Sequence, residues 1–516
     1  MLLAVLGLGV FLAGLELMVT AVALPSIVVD LASWTKLRLA SWIINAYLLA
    51  YVITMPLAGR LADQWGTRRL FLGGLVLFTI GSALAGRAQS LEELIGARIV
   101  QAIGGGILVP VATAAGSHLF GDDDRPRALG VIGGLTFLGM AAGPFVGAWI
   151  IGGFQPATAL DGLGIASGPI HDALAASWRY VFYLNVPIGI VALALAWAAM
   201  GDWDTERQAG RVDLLGAVAF SAGIAMLLLA TTLAGSPEVA GNASPAVLLA
   251  ATAAAGLGFV ALAAWIGARH PRAFLDARLF REPAFASAAL ISLLTGYGFA
   301  TAIVGGAVFV DRVLYGGADV QRVALGALAG ATAIGALGSG LLLRRVGLRL
   351  VTVVGLVLSA GALVRMGAWT PASGIVEVAG LLGLFGLGFG LTVTPRSTAA
   401  VEAVGSAAFG VASATVTVAR MLGMAVGLAA LTAFGSTTID RLYGQIYATD
   451  VSYRLFIPEA LRDRPLKDGL VVQALETWAS AEAARILVGI FLVAAAVTAV
   501  ALVPALALRG RRMLAR

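Results

Sequence analysis

The chain has 516 residues, 59% hydrophobic and only 12% charged, with 34 Lys and Arg against 28 Asp and Glu. Its mean hydropathy is +0.94, and a water-soluble protein could not cover so much apolar surface with so few charges. Cysteine is absent, which excludes disulfide scaffolds, thiolate metal sites and cysteine nucleophiles, and the three histidines (His118, His171, His270) are too far apart in sequence to form a local metal motif.

A membrane helix needs about 20 apolar residues. Fourteen stretches qualify, near 2–24, 39–58, 70–86, 94–115, 128–153, 180–200, 212–234, 246–268, 285–310, 323–343, 349–369, 375–395, 407–436 and 484–508. The first lacks a basic leader and carries Glu16, so it reads as a span rather than a cleaved signal peptide. The connection 154–177 is polar and longer than a minimal turn. Between the last two spans, 437–483 keeps helical spacing at its start (Ile439, Leu442, Ile446) and at its end (Leu470, Leu475, Trp478). Both last helices are therefore expected to continue beyond the membrane as an exposed extracytoplasmic hairpin.

If the 59–69 loop is cytoplasmic, nineteen basic residues fall on that side, Arg396 among them, and ten on the other. The asymmetry places both termini in the cytoplasm. The net charge of +6 is scattered and forms no nucleic-acid patch.

The chain also repeats itself. Gly59-Arg-Leu-Ala-Asp63-Gln-Trp-Gly66-Thr-Arg68 follows the second span, and Gly340-Leu-Leu-Leu-Arg344-Arg-Val-Gly347-Leu-Arg349 follows the tenth. Two related six-helix halves with an inserted pair account for both positions, an organisation found in secondary transporters. The expected division is 1–201 for the N-terminal bundle, 202–272 for two linker helices, and 273–516 for the C-terminal bundle with the extension.

These motifs carry a resemblance. Gly59-x-Leu-Ala-Asp63-x-x-Gly66-x-Arg68-Arg69 resembles the loop signature of the major facilitator superfamily, and Arg98-Ile-Val-Gln101-Ala-Ile-Gly104 its fourth-helix motif. Gly139-x-x-x-Gly143-Pro144-x-x-Gly147 is similar to the antiporter motif of the fifth helix. Trp178-Arg179-Tyr-Val-Phe182-Tyr-Leu-Asn185-Val-Pro187 and Ala419-Arg420-Met-Leu-Gly423 resemble the fourteen-helix drug:proton antiporter branch. The string around Arg420 also resembles actinobacterial lipid exporters of that branch, which tend to carry a second acid on the fifth helix where this chain has Phe137.

The resemblance implies an all-α polytopic membrane protein of the major facilitator fold, with 6 + 2 + 6 transmembrane helices, in the cytoplasmic (inner) membrane of a bacterium. It implies proton-coupled antiport of hydrophobic or amphipathic compounds, drugs first and lipids or lipid-linked molecules as the alternative. The expected partners are substrate, protons and membrane lipids, with no nucleic acid and a monomeric carrier. No cofactor or metal is expected: Gly386-x-Gly388-x-Gly390 imitates a nucleotide fingerprint but lies in an apolar span with no strand before it. A membrane enzyme or sensor is the distant alternative, and the sequence offers neither a convergent catalytic constellation nor a soluble domain.

Charges inside the membrane are costly and must face a cavity or a partner. Glu16 is the candidate proton carrier, and Arg98 and Arg420 are its basic counterparts, with Arg98 the expected partner of Glu16. Arginine does not readily release its proton, so neither arginine is expected to carry one. The glycines of the 59–69 loop permit a tight turn, and Asp63 can face a helix N-terminus as part of an interdomain latch. Gly139, Gly143 and Gly147 share one helix face, where another backbone can approach closely.

Overall fold

The computed structural model describes residues 1–31, 42–121, 123–153, 176–199, 203, 213–235, 244–269, 277–404, 409–446 and 452–508. Among these there are helices and turns and no strand. In hydrocarbon each backbone N–H and C=O must be satisfied within its own segment, and a helix does this locally. The N-terminal helices are α1 (Leu2–Leu31), α2 (Trp42–Trp65), α3 (Thr67–Arg87), α4 (Leu91–Leu119), α5 (Arg125–Gly153) and α6 (Arg179–Ala198, interrupted at Leu184). The inserted pair is α7 (Leu214–Gly235) and α8 (Pro245–Arg269). Then follow α9 (Pro283–Arg312), α10 (Gly317–Val346), α11 (Leu348–Met366), α12 (Ile375–Val404), α13 (Phe409–Ile446) and α14 (Gly469–Val500).

Among the described residues of this polytopic membrane protein, thirteen helices are long and apolar enough to cross a bilayer. The fourteenth expected span is α7, whose apolar stretch Leu215–Ala230 is shorter. Local chemistry starts some of the helices. Ser90 accepts a hydrogen bond from the Glu93 amide at 3.2 Å, and the Glu93 carboxylate reaches back to the Gln89 amide at 2.9 Å, which starts α4. Pro283 stands at the start of α9, where its missing N–H costs nothing.

The helix pairings recur eight helices along. α1 packs on α5 as α9 packs on α13, α2 on α4 as α10 on α12, and α3 on α4 as α11 on α12. The two sets meet along two seams, α2 against α13 and α5 against α10. Of the inserted pair, α7 touches both α2 and α13 and so bridges one seam.

The repeated loops share their backbone. Gly66 and Gly347 both adopt φ +87°, a left-handed conformation that lets one helix follow another after a single residue. A helix of 38 residues such as α13 is about 57 Å long, well beyond a hydrocarbon core of about 30 Å. Tyr453 and Ile457, between α13 and α14, are buried with Val471 of α14, and Phe456, Leu461, Leu475 and Trp478 pack around them. The side chains of Ile439, Leu442 and Ile446 and most of the 154–177 connection lie outside the described residues.

Candidate transport site

The centre of the N-terminal half holds a closed polar cluster. Glu16, midway along α1, is fully buried, and Arg98 of α4 donates to its carboxylate. Asn185, the first residue of the main α6 segment, donates through Nδ2 to Glu16 Oε2 at 2.5 Å. Thr20, one helical turn after Glu16, donates to Oε1 at 2.9 Å. The same Nη1 of Arg98 also donates to Gln101 Oε1 at 2.6 Å, and Gln101 in turn donates to Ser82 on α3 at 2.7 Å. The guanidinium lies over the Tyr47 ring, 3.9 Å from its centre, and Tyr47 stacks on Tyr51. Five of the six N-terminal helices therefore contribute. Two atoms in the cluster, Tyr47 Oη and Asn185 Oδ1, are buried with no hydrogen-bond partner among the described residues.

The glycine stripe of α5 lies against α1 at the level of this cluster. A methyl group on Gly143 would stand 2.7 Å from Met18 Cβ and 3.0 Å from Leu15 O. One on Gly139 would meet the Phe11 carbonyl, and one on Gly147 would meet Val22 and Val19. The stripe thus sets how near α5 comes to the backbone on either side of Glu16. The Pro144 side chain is outside the described residues.

The sixth-helix motif works from the end of its bundle. Trp178 is buried and donates to Asp30 at 2.9 Å. Arg179 caps the end of α3 through the carbonyls of Gly86 at 3.0 Å and Ala88 at 2.6 Å. Pro187 is exposed in the first turn of the segment that begins at Asn185, where the fixed φ of proline is tolerated.

At the end of the molecule that carries the repeated loops, Asp63 joins the halves. Its Oδ1 accepts from the Gly410 amide at 2.8 Å and its Oδ2 from the Val411 amide at 3.2 Å, both in the first turn of α13. These N–H groups have no partner within their own helix, and the carboxylate meets the positive end of the helix dipole. A side chain on Gly59 would collide with the Gly410 carbonyl. The second repeat makes the matching approach: Gly340 lies against Pro126 and Gly130 of α5, where an added methyl would be 2.6 Å from the Pro126 carbonyl. Phe409 contacts both His118 and Arg125 of the N-terminal half. Arg68 is half-buried and Arg69 exposed.

Arg396, counted above with the cytoplasmic loop charges, is instead buried within α12 at 1% exposure. The helix runs on to Val404 because the residues after the arginine, Ser-Thr-Ala-Ala-Val, are small and uncharged enough to continue the span. That run is the sequence signal for a buried arginine. Tyr47 and Thr20 also belong to the site, beyond the residues the sequence singles out. Thr20 stands four residues after Glu16, a spacing that places both on one helix face. Tyr47 gave no signal, because only the packing of α2 on α4 brings it to Arg98. Arg420 is buried at 9% exposure and stands 5.4 Å from the Phe137 ring, with no ion-pair partner among the described residues.

A bundle of membrane-crossing helices, built from two similarly paired sets around buried polar clusters, defines a polytopic membrane carrier. Residues 6–428 match the Major Facilitator Superfamily. The chain belongs to that superfamily and is one of its transporters. It is 31% identical over 443 residues to a triacylglyceride transporter of Mycolicibacterium hassiacum, covering 83% of this chain and 78% of that one. It is also 31% identical to a probable triacylglyceride transporter of Mycobacterium leprae, covering 83% and 82%. Among solved structures it resembles a bacterial homologue of the human lysosomal transporter Spinster in an inward-facing, unoccupied conformation, with a TM-score of 0.59 at 19% identity, covering 99% of this chain and 98% of that one. At that identity the likeness concerns the fold alone.

Proposed function

We propose that the chain is a proton-coupled exporter of hydrophobic, lipid-like molecules. It works by alternating access between two six-helix halves, 1–201 and 273–516, with 202–272 as an inserted linker. It acts as a monomeric carrier rather than an enzyme, in the cytoplasmic membrane of a bacterium with both termini inside. Glycines 59 and 66, Asp63, Arg68 and Arg69 serve as the interdomain latch, and the 139–147 stripe lets α5 move against α1. Of the two transport readings of the sequence, the relatives named for triacylglyceride transport favour the lipid over the drug.

The observation that carries proton coupling is the buried carboxylate of Glu16 with its pair in Arg98. A carboxylate removed from water exists as an ion only while it is paired and hydrogen-bonded. A proton arriving at Glu16 removes the charge that Arg98 answers, so the pair loosens. The protonated acid then needs an acceptor for its O–H, and the free Asn185 Oδ1 in the same cluster supplies one once the amide turns. Tyr47 keeps Arg98 in place over its ring while the pair is broken. Glu16 thus alternates between an ion-paired and a neutral state, and each state favours a different packing of α1, α4 and α6.

The test is transport of fluorescent triacylglyceride in proteoliposomes with an imposed pH gradient. Wild-type protein is expected to move the lipid faster with the gradient than without it, and Glu16→Gln is expected to erase the difference. Full gradient-driven transport by Glu16→Gln would overturn the role of this residue. Gradient-driven movement of cationic dyes without movement of the lipid would return the drug reading to first place.

A further inference from the structure

The C-terminal half buries two arginines that lack acids among the described residues. Arg396 of α12 and Arg420 of α13 are 1% and 9% exposed, and among the described residues neither has an ion-pair partner. Arg396 donates once through Nη1, to Thr295 Oγ1 of α9 at 2.6 Å. Its Nη2, and the Nε of Arg420, are buried with no hydrogen-bond partner among the described residues.

The two guanidiniums flank a single aromatic group. Arg396 lies 5.1 Å from the Phe389 ring centre, and Arg420 lies 5.4 Å from that of Phe137. Phe389 stacks on Phe299 with centroids 4.4 Å apart, and it meets Phe137 edge-on at 5.4 Å. The rings come from α5, α9 and α12, so the group straddles both halves of the molecule. Attraction between a cation and a ring offsets only part of the cost of a buried, unpaired charge. The contrast with the N-terminal half is direct, since Arg98 there has its carboxylate in the chain. What the C-terminal pair lacks is an anion, and guanidinium groups match phosphate and carboxylate in geometry as well as charge.

We propose that Arg396 and Arg420 together hold the anionic group, a phosphate or carboxylate, of an amphipathic substrate, whose apolar part lies against Phe137, Phe299 and Phe389. The proposal rests on the export reading above and adds an anion subsite to it, so that acidic amphiphiles are preferred over neutral lipids of the same chain length. Because the rings belong to both halves, the site is complete only while the halves are together.

The experiment is a binding titration of the full-length protein in nanodiscs of phosphatidylcholine, using dodecyl phosphate and the uncharged monododecyl glycerol as probes. Wild-type protein is expected to bind dodecyl phosphate about tenfold or more tightly than the uncharged probe, the gain typical of a hydrogen bond to a charged group. Arg396→Gln and Arg420→Gln are each expected to erase that preference while still binding the uncharged probe. Arg396→Lys and Arg420→Lys, which keep the charge, are expected to retain part of it. Equal affinity of wild-type protein for the two probes would overturn the proposal, and this result does not depend on any variant folding. Displacement of dodecyl phosphate by equimolar inorganic phosphate would also overturn it, since the site would then take a free anion without a tail. Competition by phosphatidylglycerol placed in the nanodisc identifies a bilayer lipid as the source of the anion, and its absence identifies a soluble amphiphile; either agrees with the proposal. Proton-driven lipid transport alongside equal probe affinities would leave the export reading standing and remove this one.

Discussion

Replacing Asp63 with alanine is expected to open the end of the molecule that carries the repeated loops. The carboxylate satisfies the amides of Gly410 and Val411 at 2.8 and 3.2 Å. Loss of an N-terminal cap costs about 1 kcal/mol and loss of a partly buried charge at the helix dipole about another 1 kcal/mol. About 2 kcal/mol corresponds to a roughly 30-fold fall in the ratio of closed to open molecules. Because the chain contains no cysteine, spin labels can be placed without first removing native thiols. Suitable sites are Trp65 at the end of α2 and Val346 at the end of α10, exposed by 54% and 42% in opposite halves. Double electron–electron resonance should then show a longer-distance population in Asp63→Ala that is minor in the parent. Identical distance distributions would refute the assignment of Asp63 as the latch, whatever the effect on transport.

Other expectations concern packing and local order. Gly143→Ala places a methyl 2.7 Å from Met18 Cβ, so it should destabilise the protein by about 1–3 kcal/mol and lower its melting temperature in detergent. Gly73→Ala, where an added methyl meets nothing within 4 Å, should not. Asn185→Ala removes a donor to the Glu16 carboxylate and is expected to cost about 1.5–3 kcal/mol, read as a fall in the same melting temperature; an unchanged value would argue against the bond. At the start of α14, the Leu470 amide and then Arg464 hold the Asp468 carboxyl below the usual carboxylate range. A lowered value means the folded form favours the ion, so this cap is complete at neutral pH and is lost as the pH falls below about 4. Protection of the Leu470–Val472 amides, measured against the unstructured exchange rate at the same pH, should fall in acid in the parent, and Asp468→Asn should flatten that dependence.

Much of the fold was legible because the membrane leaves little choice. An apolar run of the right length must become a helix, so composition alone indicated a polytopic bundle. The repeat of Gly59–Arg68 in Gly340–Arg349 pointed to two related sets, and the paired φ values of Gly66 and Gly347 show that repeat in the backbone. Glu16, Arg98 and Arg420 stood out because charge is scarce in such a chain. Where that scarcity misled was Arg396: an arginine near the end of an apolar run reads as a boundary marker, since snorkelling to the interface is its usual fate.

Sequence by itself thus determined the solvent, the class of fold and which buried charges to examine, because burial in lipid penalises every residue that does not conform. Tertiary structure decided the partnerships. Spacing along the chain cannot tell that Asn185 reaches Glu16 across 169 positions, or that Asp63 caps a helix 347 positions away. Nor can it tell that Arg396 and Arg420 have no acid partner among the described residues. Hydrogen bonds and ion pairs extend only a few ångströms, so which groups satisfy one another depends on how the helices pack.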